Sequence, residues 1–95
     1  MKLPHYYTIL KRHFSEQDYF GNYWAEEGGF LTYSEAKADV DLLRDGSPIR
    51  LVKSFDRAIA AGVVREAIAY LNECSRRALP TPRRVDLSRG VILTP

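Results

Sequence analysis

The chain has 95 residues, 45% of them hydrophobic and 27% charged, with a formal net charge of +2. A chain of that length forms one domain that buries roughly 65% of the surface exposed when unfolded, and its apolar content and mixed charge exclude wholesale disorder. A single cysteine, Cys74, excludes an internal disulfide framework and points to a reducing compartment.

Residues 5–14 are aromatic and β-branched and predict a strand, with Tyr7 and Ile9 on one face and Tyr6, Leu10 and Phe14 on the other. Residues 15–18 are turn chemistry. Tyr19 to Ala25 reads as a second strand in which Gly21 marks a bulge or a place of close backbone approach, and the two should pair as an antiparallel hairpin. Glu26-Glu27-Gly28-Gly29 is expected to break this strand, with a short re-entry at Phe30-Leu31. Thr32 and Glu35 have the spacing of a capping box, and Leu31 precedes the cap as a hydrophobic staple. Ala36, Val40 and Leu43 recur on one helical stripe, and Gly46 and Pro48 stop the chain from continuing, so a helix is predicted over 33–45. Ile49 to Phe55 reads as a strand with Ile49, Leu51 and Lys53 on one face and Arg50, Val52 and Ser54 on the other.

Asp56 is placed to cap a second helix, whose stripe is Ile59, Val63, Ala67, Leu71, Cys74 and Ala78. Gly62 lies inside it, Pro80 ends it, and Arg76 and Arg77 suit its last turn. Cys74 on that stripe reads as a buried structural thiol rather than a nucleophile. Residues 1–79 are therefore expected to form one compact α+β domain: a small antiparallel or mixed sheet with two helices packed on one face. The crossover through the helix at 33–45 would be right-handed if the strands it joins lie parallel. Residues 80–95, with three prolines, are expected to be an extended or flexible tail, although Val91-Ile92-Leu93 is apolar enough to add a strand to this sheet or to another molecule. The second possibility keeps a homodimer open.

No metal, cofactor or catalytic constellation is expected. His5 and His13 lie about 26 Å apart along one strand, which rules out a shared metal within it. With one thiol in the chain there is no zinc-ligand spacing. Gly28-Gly29 lacks the spacing of a phosphate-cradling loop. His13 beside Lys11, Arg12, Glu16, Asp18 and Tyr19 is the one grouping that offers a small ribonuclease-like site. No stretch approaches the ~20 apolar residues of a membrane span, and the opening residues MKLPHYY lack a signal-peptide core. A cytoplasmic protein without a membrane partner follows.

The charge is divided along the chain: +3 over residues 1–14, −6 over 15–46 and +5 over 47–95. Such a division favours oriented association with a charged partner. A two-layer fold covers one face of its sheet, which would leave hairpin rings at the surface as interface anchors. The leading expectation is thus a non-enzymatic protein-binding module that uses Tyr6, Tyr7, Tyr19, Tyr23 and Trp24 with the acidic turns at Glu16, Asp18, Glu26 and Glu27. By analogy of size and element order alone, this extends to a phage- or mobile-element-type inhibitor of a host protein or nuclease complex. The alternative is a nucleic-acid-binding accessory protein that uses Arg50, Lys53 and Arg57 of the third strand with Arg76, Arg77, Arg83 and Arg84 of the tail junction.

Overall fold

A computed structural model of the chain describes residues 6–14, 22–80 and 82–95. The elements are β1 (Tyr6–Phe14), β2 (Asn22–Leu31), α1 (Tyr33–Leu43), β3 (Ile49–Ser54), a 3-10 turn (Arg57–Ile59), α2 (Ala60–Arg76), β4 (Arg84–Asp86) and β5 (Gly90–Leu93). The strands form one sheet in the order β2-β1-β3-β5-β4, antiparallel at every pairing. The α+β class and the antiparallel hairpin are as the sequence predicts.

The local signals explain the helix boundaries. The Thr32 hydroxyl accepts from the Glu35 N–H, and the Glu35 carboxylate accepts from the Thr32 N–H, which closes the capping box at the start of α1. Two residues beyond the Arg44 cap, Gly46 adopts a φ of 92°, a left-handed conformation that side chains disfavour. At the other helix, Asp56 accepts from the Ala58 N–H and starts the 3-10 turn that leads into α2.

Three expectations are corrected. First, Glu26–Gly29 does not end the second strand. Tyr7 pairs with Leu31 and Ile9 with Glu27, so three residues of β2 stand opposite one of β1. The Gly-Gly pair makes an enlarged bulge within a continuous strand, where backbone freedom allows the extra length to loop out without loss of pairing on either side.

Second, the two helices lie on opposite faces of the sheet. Leu10 of β1, Val52 of β3 and Ile92 of β5 pack with Val63, Val64, Ala67 and Leu71 of α2. Ile9 and Leu51, each one residue away and so on the other face, pack with Ala36 and Val40 of α1. Successive apolar residues in the central strands leave neither face able to tolerate water. The connections β2-α1-β3 and β3-α2-β4 each join parallel strands across an intervening antiparallel one, step the same way across the sheet, and run over opposite faces. They therefore have opposite hands.

Third, residues 80–95 are not a flexible tail. β5 inserts between β3 and β4, and Val91 and Ile92 are buried. The apolar run is shielded by becoming an interior strand instead of a free edge. Gly90 makes this possible: a Cβ there would stand 2.6 Å from the Lys53 carbonyl oxygen and 2.6 Å from Val63 Cγ1. The true edges are β2, distorted by its bulge, and β4, three residues long with exposed Arg84 and Asp86, which give an approaching strand little ladder to extend.

Gly90→Ala should therefore destabilise the protein by roughly 1–3 kcal/mol, whereas Gly62→Ala, whose Cβ meets open space on α2, should stabilise it by about 0.5–1 kcal/mol. Chemical denaturation of the two variants beside the parent checks both signs.

Candidate binding surfaces

The hairpin rings are divided by the alternation of the strand. Tyr6 is half-buried with the Arg57 guanidinium 6.0 Å from its ring centroid. Tyr7, on the α1 face, meets Tyr33 edge-on at 5.4 Å. Burial, and then the neighbouring Tyr33, push its hydroxyl pKa upward. Trp24, expected as a surface anchor, is only 4% exposed and belongs to the α2 core. Its backbone N–H donates to Asn72 Oδ1 (2.8 Å) and its indole Nε1–H to Ser75 Oγ (3.3 Å), both on α2. Two polar side chains of the helix thus satisfy the strand residue that the helix covers, and this removes Trp24 as a surface anchor for a protein partner.

Tyr23 remains exposed, stacked on the His13 ring at 5.4 Å. His13 Nε2 lies 2.7 Å from Glu27 Oε1. Glu26, paired with Leu10, projects to the opposite face. Glu16, Asp18 and Tyr19 lie outside the described residues, as therefore does the grouping that would make a ribonuclease-like site. Of its other members, Lys11 is bound to Asp45 at 2.8 Å, and Arg12 faces away from both Lys11 and His13.

α1 covers the middle of its face and stops there. Beside it runs a groove of about 310 Å³ lined by Glu27, Asp39, Leu42 and Leu43. Leu42 is 83% exposed. Glu27 joins this groove to the Tyr23–His13 stack, so one continuous surface carries an exposed ring, an exposed leucine and two carboxylates. Leu42 is not among the expected interface residues, although its position off the Ala36–Val40–Leu43 stripe marks it as the apolar residue of α1 that has no core to enter.

The basic residues of the alternative interface are scattered. Arg50 and Lys53 occupy opposite faces of β3. Arg57 lies at the far end of that strand beside Tyr6. Arg76 and Arg77 both bind Glu73, and Arg84 binds Asp86. Arg83 is exposed. What the fold does bring together is Arg50 and Arg12. Leu10 pairs with Arg50 and the Arg12 N–H donates to the Pro48 carbonyl at 3.0 Å, which makes the two arginines diagonal neighbours on the α2 face. They line a cleft of about 430 Å³ with Trp24, Ser75, Pro48, Ala78, Leu79 and Pro80. The Arg50 guanidinium lies 5.7 Å from the Trp24 ring centroid, its Nη1 donates to the Ile49 carbonyl at 2.8 Å, and burial lowers its pKa.

The far wall of this cleft is the cap of α2. Leu79 N–H donates to the Cys74 carbonyl and Ala78 N–H to that of Ser75, the paired bonds of a Schellman motif. The left-handed position is held by Ala78, at φ 54°, where glycine is usual. No family model matches the chain, and no curated protein and no solved structure is similar to it. Among the described residues no helix is long and apolar enough to cross a membrane.

Two outcomes follow. Ala78→Gly should stabilise the protein by roughly 0.5–1 kcal/mol through relief of the left-handed backbone, seen as a higher denaturation midpoint. The Lys11 ammonium, and then the Ser47 N–H, hold the Asp45 carboxyl well below the usual carboxylate range. A depressed folded-state pKa contributes stability that is present above the unfolded value of about 3.9 and is lost as the pH falls through the folded value. Asp45→Asn should accordingly be less stable than the parent at pH 7, and the gap should close below about pH 4 in a pH series of thermal midpoints.

Proposed function

We propose that the chain is a non-enzymatic protein-binding module and that its contact surface is the groove between β2 and α1, extended by Tyr23. The observation that carries this reading is the exposure of Leu42 on a surface with Tyr23 beyond its rim and Glu27 and Asp39 within it. Apolar anchors bordered by charge form the core-and-rim arrangement of protein interfaces. The groove lining includes two carboxylates and no basic residue, which suits a partner segment with an apolar side chain flanked by Lys or Arg. Such a module inhibits when the segment it occupies is part of its partner's working surface. A cytoplasmic phage- or mobile-element-type blocker of a host protein or nuclease complex is the finer form of this reading.

Nucleic-acid binding through Arg50, Lys53, Arg57, Arg76, Arg77, Arg83 and Arg84 has weaker support. Those residues are dispersed over different faces, and three of them are paired with Glu73 or Asp86.

The test is a pull-down from native lysate with nuclease present, comparing the parent with Leu42→Lys and Asp39→Lys, followed by affinity measurement on any stoichiometric protein recovered. Both substitutions sit on the outer side of α1. At least a tenfold loss of affinity in each is expected. A partner that binds Leu42→Lys as tightly as the parent, or one that is released by nuclease, overturns the reading.

A further inference from the structure

The cleft between the lower ends of β1 and β3 and the cap of α2 is separate from the groove proposed for a protein partner, on the opposite face of the sheet. Its chemistry is also opposite. Among the residues that line it are two arginines and no acid. The two guanidiniums are held on one face by the register of adjacent strands, and both line the cleft. Arg50 is fixed by its bond to the Ile49 carbonyl and by the face of Trp24. Arg12 contributes a buried Nε–H with no hydrogen-bond partner among the described residues, and no carboxylate among them pairs with it. A buried donor left in that state costs free energy that an acceptor would recover. Ser75, whose Oγ accepts from the Trp24 indole, still has its own O–H to donate.

From this arrangement we infer that the cleft is a binding site for a phosphorylated small molecule, its phosphoryl oxygens received by Arg12 and Arg50 and its ring by Pro48, Leu79 and Pro80. Guanidiniums match phosphoryl oxygens in geometry and charge and give up their hydration more readily than an ammonium does. A bare phosphate would fill only a fraction of a cleft of about 430 Å³, a volume within the roughly 300–1,000 Å³ typical of small-molecule sites. Beside Ser75, the remaining lining is Trp24, Ala78, two prolines and a leucine, a largely apolar wall that suits the flat or puckered ring of a nucleoside monophosphate. Both arginines reach the cleft from paired strands and not from loops, so little ordering is required on binding.

Trp24 is the only tryptophan in the chain, and it lies in the wall of this cleft, so its fluorescence reports on this site. The experiment titrates the full chain, followed by Trp24 emission and by calorimetry, with four probes: a nucleoside 5′-monophosphate, the same nucleoside without phosphate, inorganic phosphate, and a short single-stranded RNA. Saturable binding of the monophosphate is expected, at least tenfold tighter than that of the nucleoside or of inorganic phosphate. Arg12→Gln should weaken it at least tenfold, and Arg12→Lys, which keeps the charge and most of the stem, by a smaller factor. Far-UV circular dichroism establishes that both variants are folded. An upward shift of the parent's thermal midpoint by the monophosphate, and not by the nucleoside, supports the site without any substitution. Equal response to nucleoside and monophosphate, unchanged affinity in a folded Arg12→Gln, or no saturable response in the parent overturns the proposal. So does RNA that binds far more tightly than the monophosphate with a steep salt dependence, since that outcome assigns the arginines to a nucleic-acid backbone.

Discussion

Four residues govern this molecule: Ile9 and Leu10 in β1, and Leu51 and Val52 in β3. Each pair places apolar side chains on both faces of the sheet at its centre, and three of the four are fully sequestered while Leu51 is 5% exposed. A sheet with two apolar faces needs two covers. The chain supplies two helices, so each face receives one, and the split of the helices follows from four side chains rather than from any property of the helices themselves. The same constraint decides what stays uncovered. An 11-residue helix spans about 16 Å, and α1 shields Ile9 and Leu51 and packs on Leu31 at the end of β2 but leaves Tyr23 at its other end exposed. α2, with 17 residues, reaches from the Gly90 contact to Trp24.

The two candidate surfaces are by-products of that coverage. On the α1 side, the short helix ends beside β2 and leaves Leu42, Tyr23 and Glu27 at the boundary. On the α2 side, the helix ends just after it has bound Trp24 through Asn72 and Ser75, and the Schellman turn then leads the chain away from the sheet. The space beneath that turn is where Arg12 and Arg50 emerge. Charge is sorted accordingly, with acidic groups beside α1 and guanidiniums beneath the end of α2. The arginines that line the cleft, Arg12 and Arg50, are not those that cluster in the sequence.

Much of the fold was legible because its signals are local. The capping box at Thr32–Glu35, the Asp56 cap and the stripe from Val63 to Cys74 each depend on neighbours within one or two turns, whereas α1 ends at the extended Arg44, two residues before the expected stop at Gly46. What was misread depends on pairs far apart in the chain. The side of the sheet taken by each helix is set by which of two adjacent apolar residues it meets. The burial of Trp24 depends on Asn72 and Ser75, some fifty residues later, and a hairpin rich in aromatic rings looks the same before and after such a helix lands on it. The apolar run 91–93 was recognised as unsuited to a free end, but its slot between β3 and β4 requires Gly90 to pass within contact of Lys53 and Val63, which spacing alone does not reveal. Strand alternation already sets Arg12 apart from Lys11 and His13, but its position diagonal to Arg50 depends on β3 pairing with β1, some forty residues away in the chain.

The strand order has a kinetic consequence. β5 is the last strand in the chain, yet it occupies an interior lane of the sheet, and β4, which precedes it, has no partner other than β5. Both pairings of β3 connect segments about forty residues apart, with Ile9 opposite Leu51 and Leu51 opposite Leu93. Without residues 90–93, β3 has an open ladder on one side and α2 lacks Ile92 as a counterpart. Loop closures of that length precede most of the favourable contacts, which places this small protein among the slower folders of its size. In the folded sheet it is β5 that closes the inner edge of β3, and the close approach of Gly90 to Lys53 and Val63 is what lets it fit there.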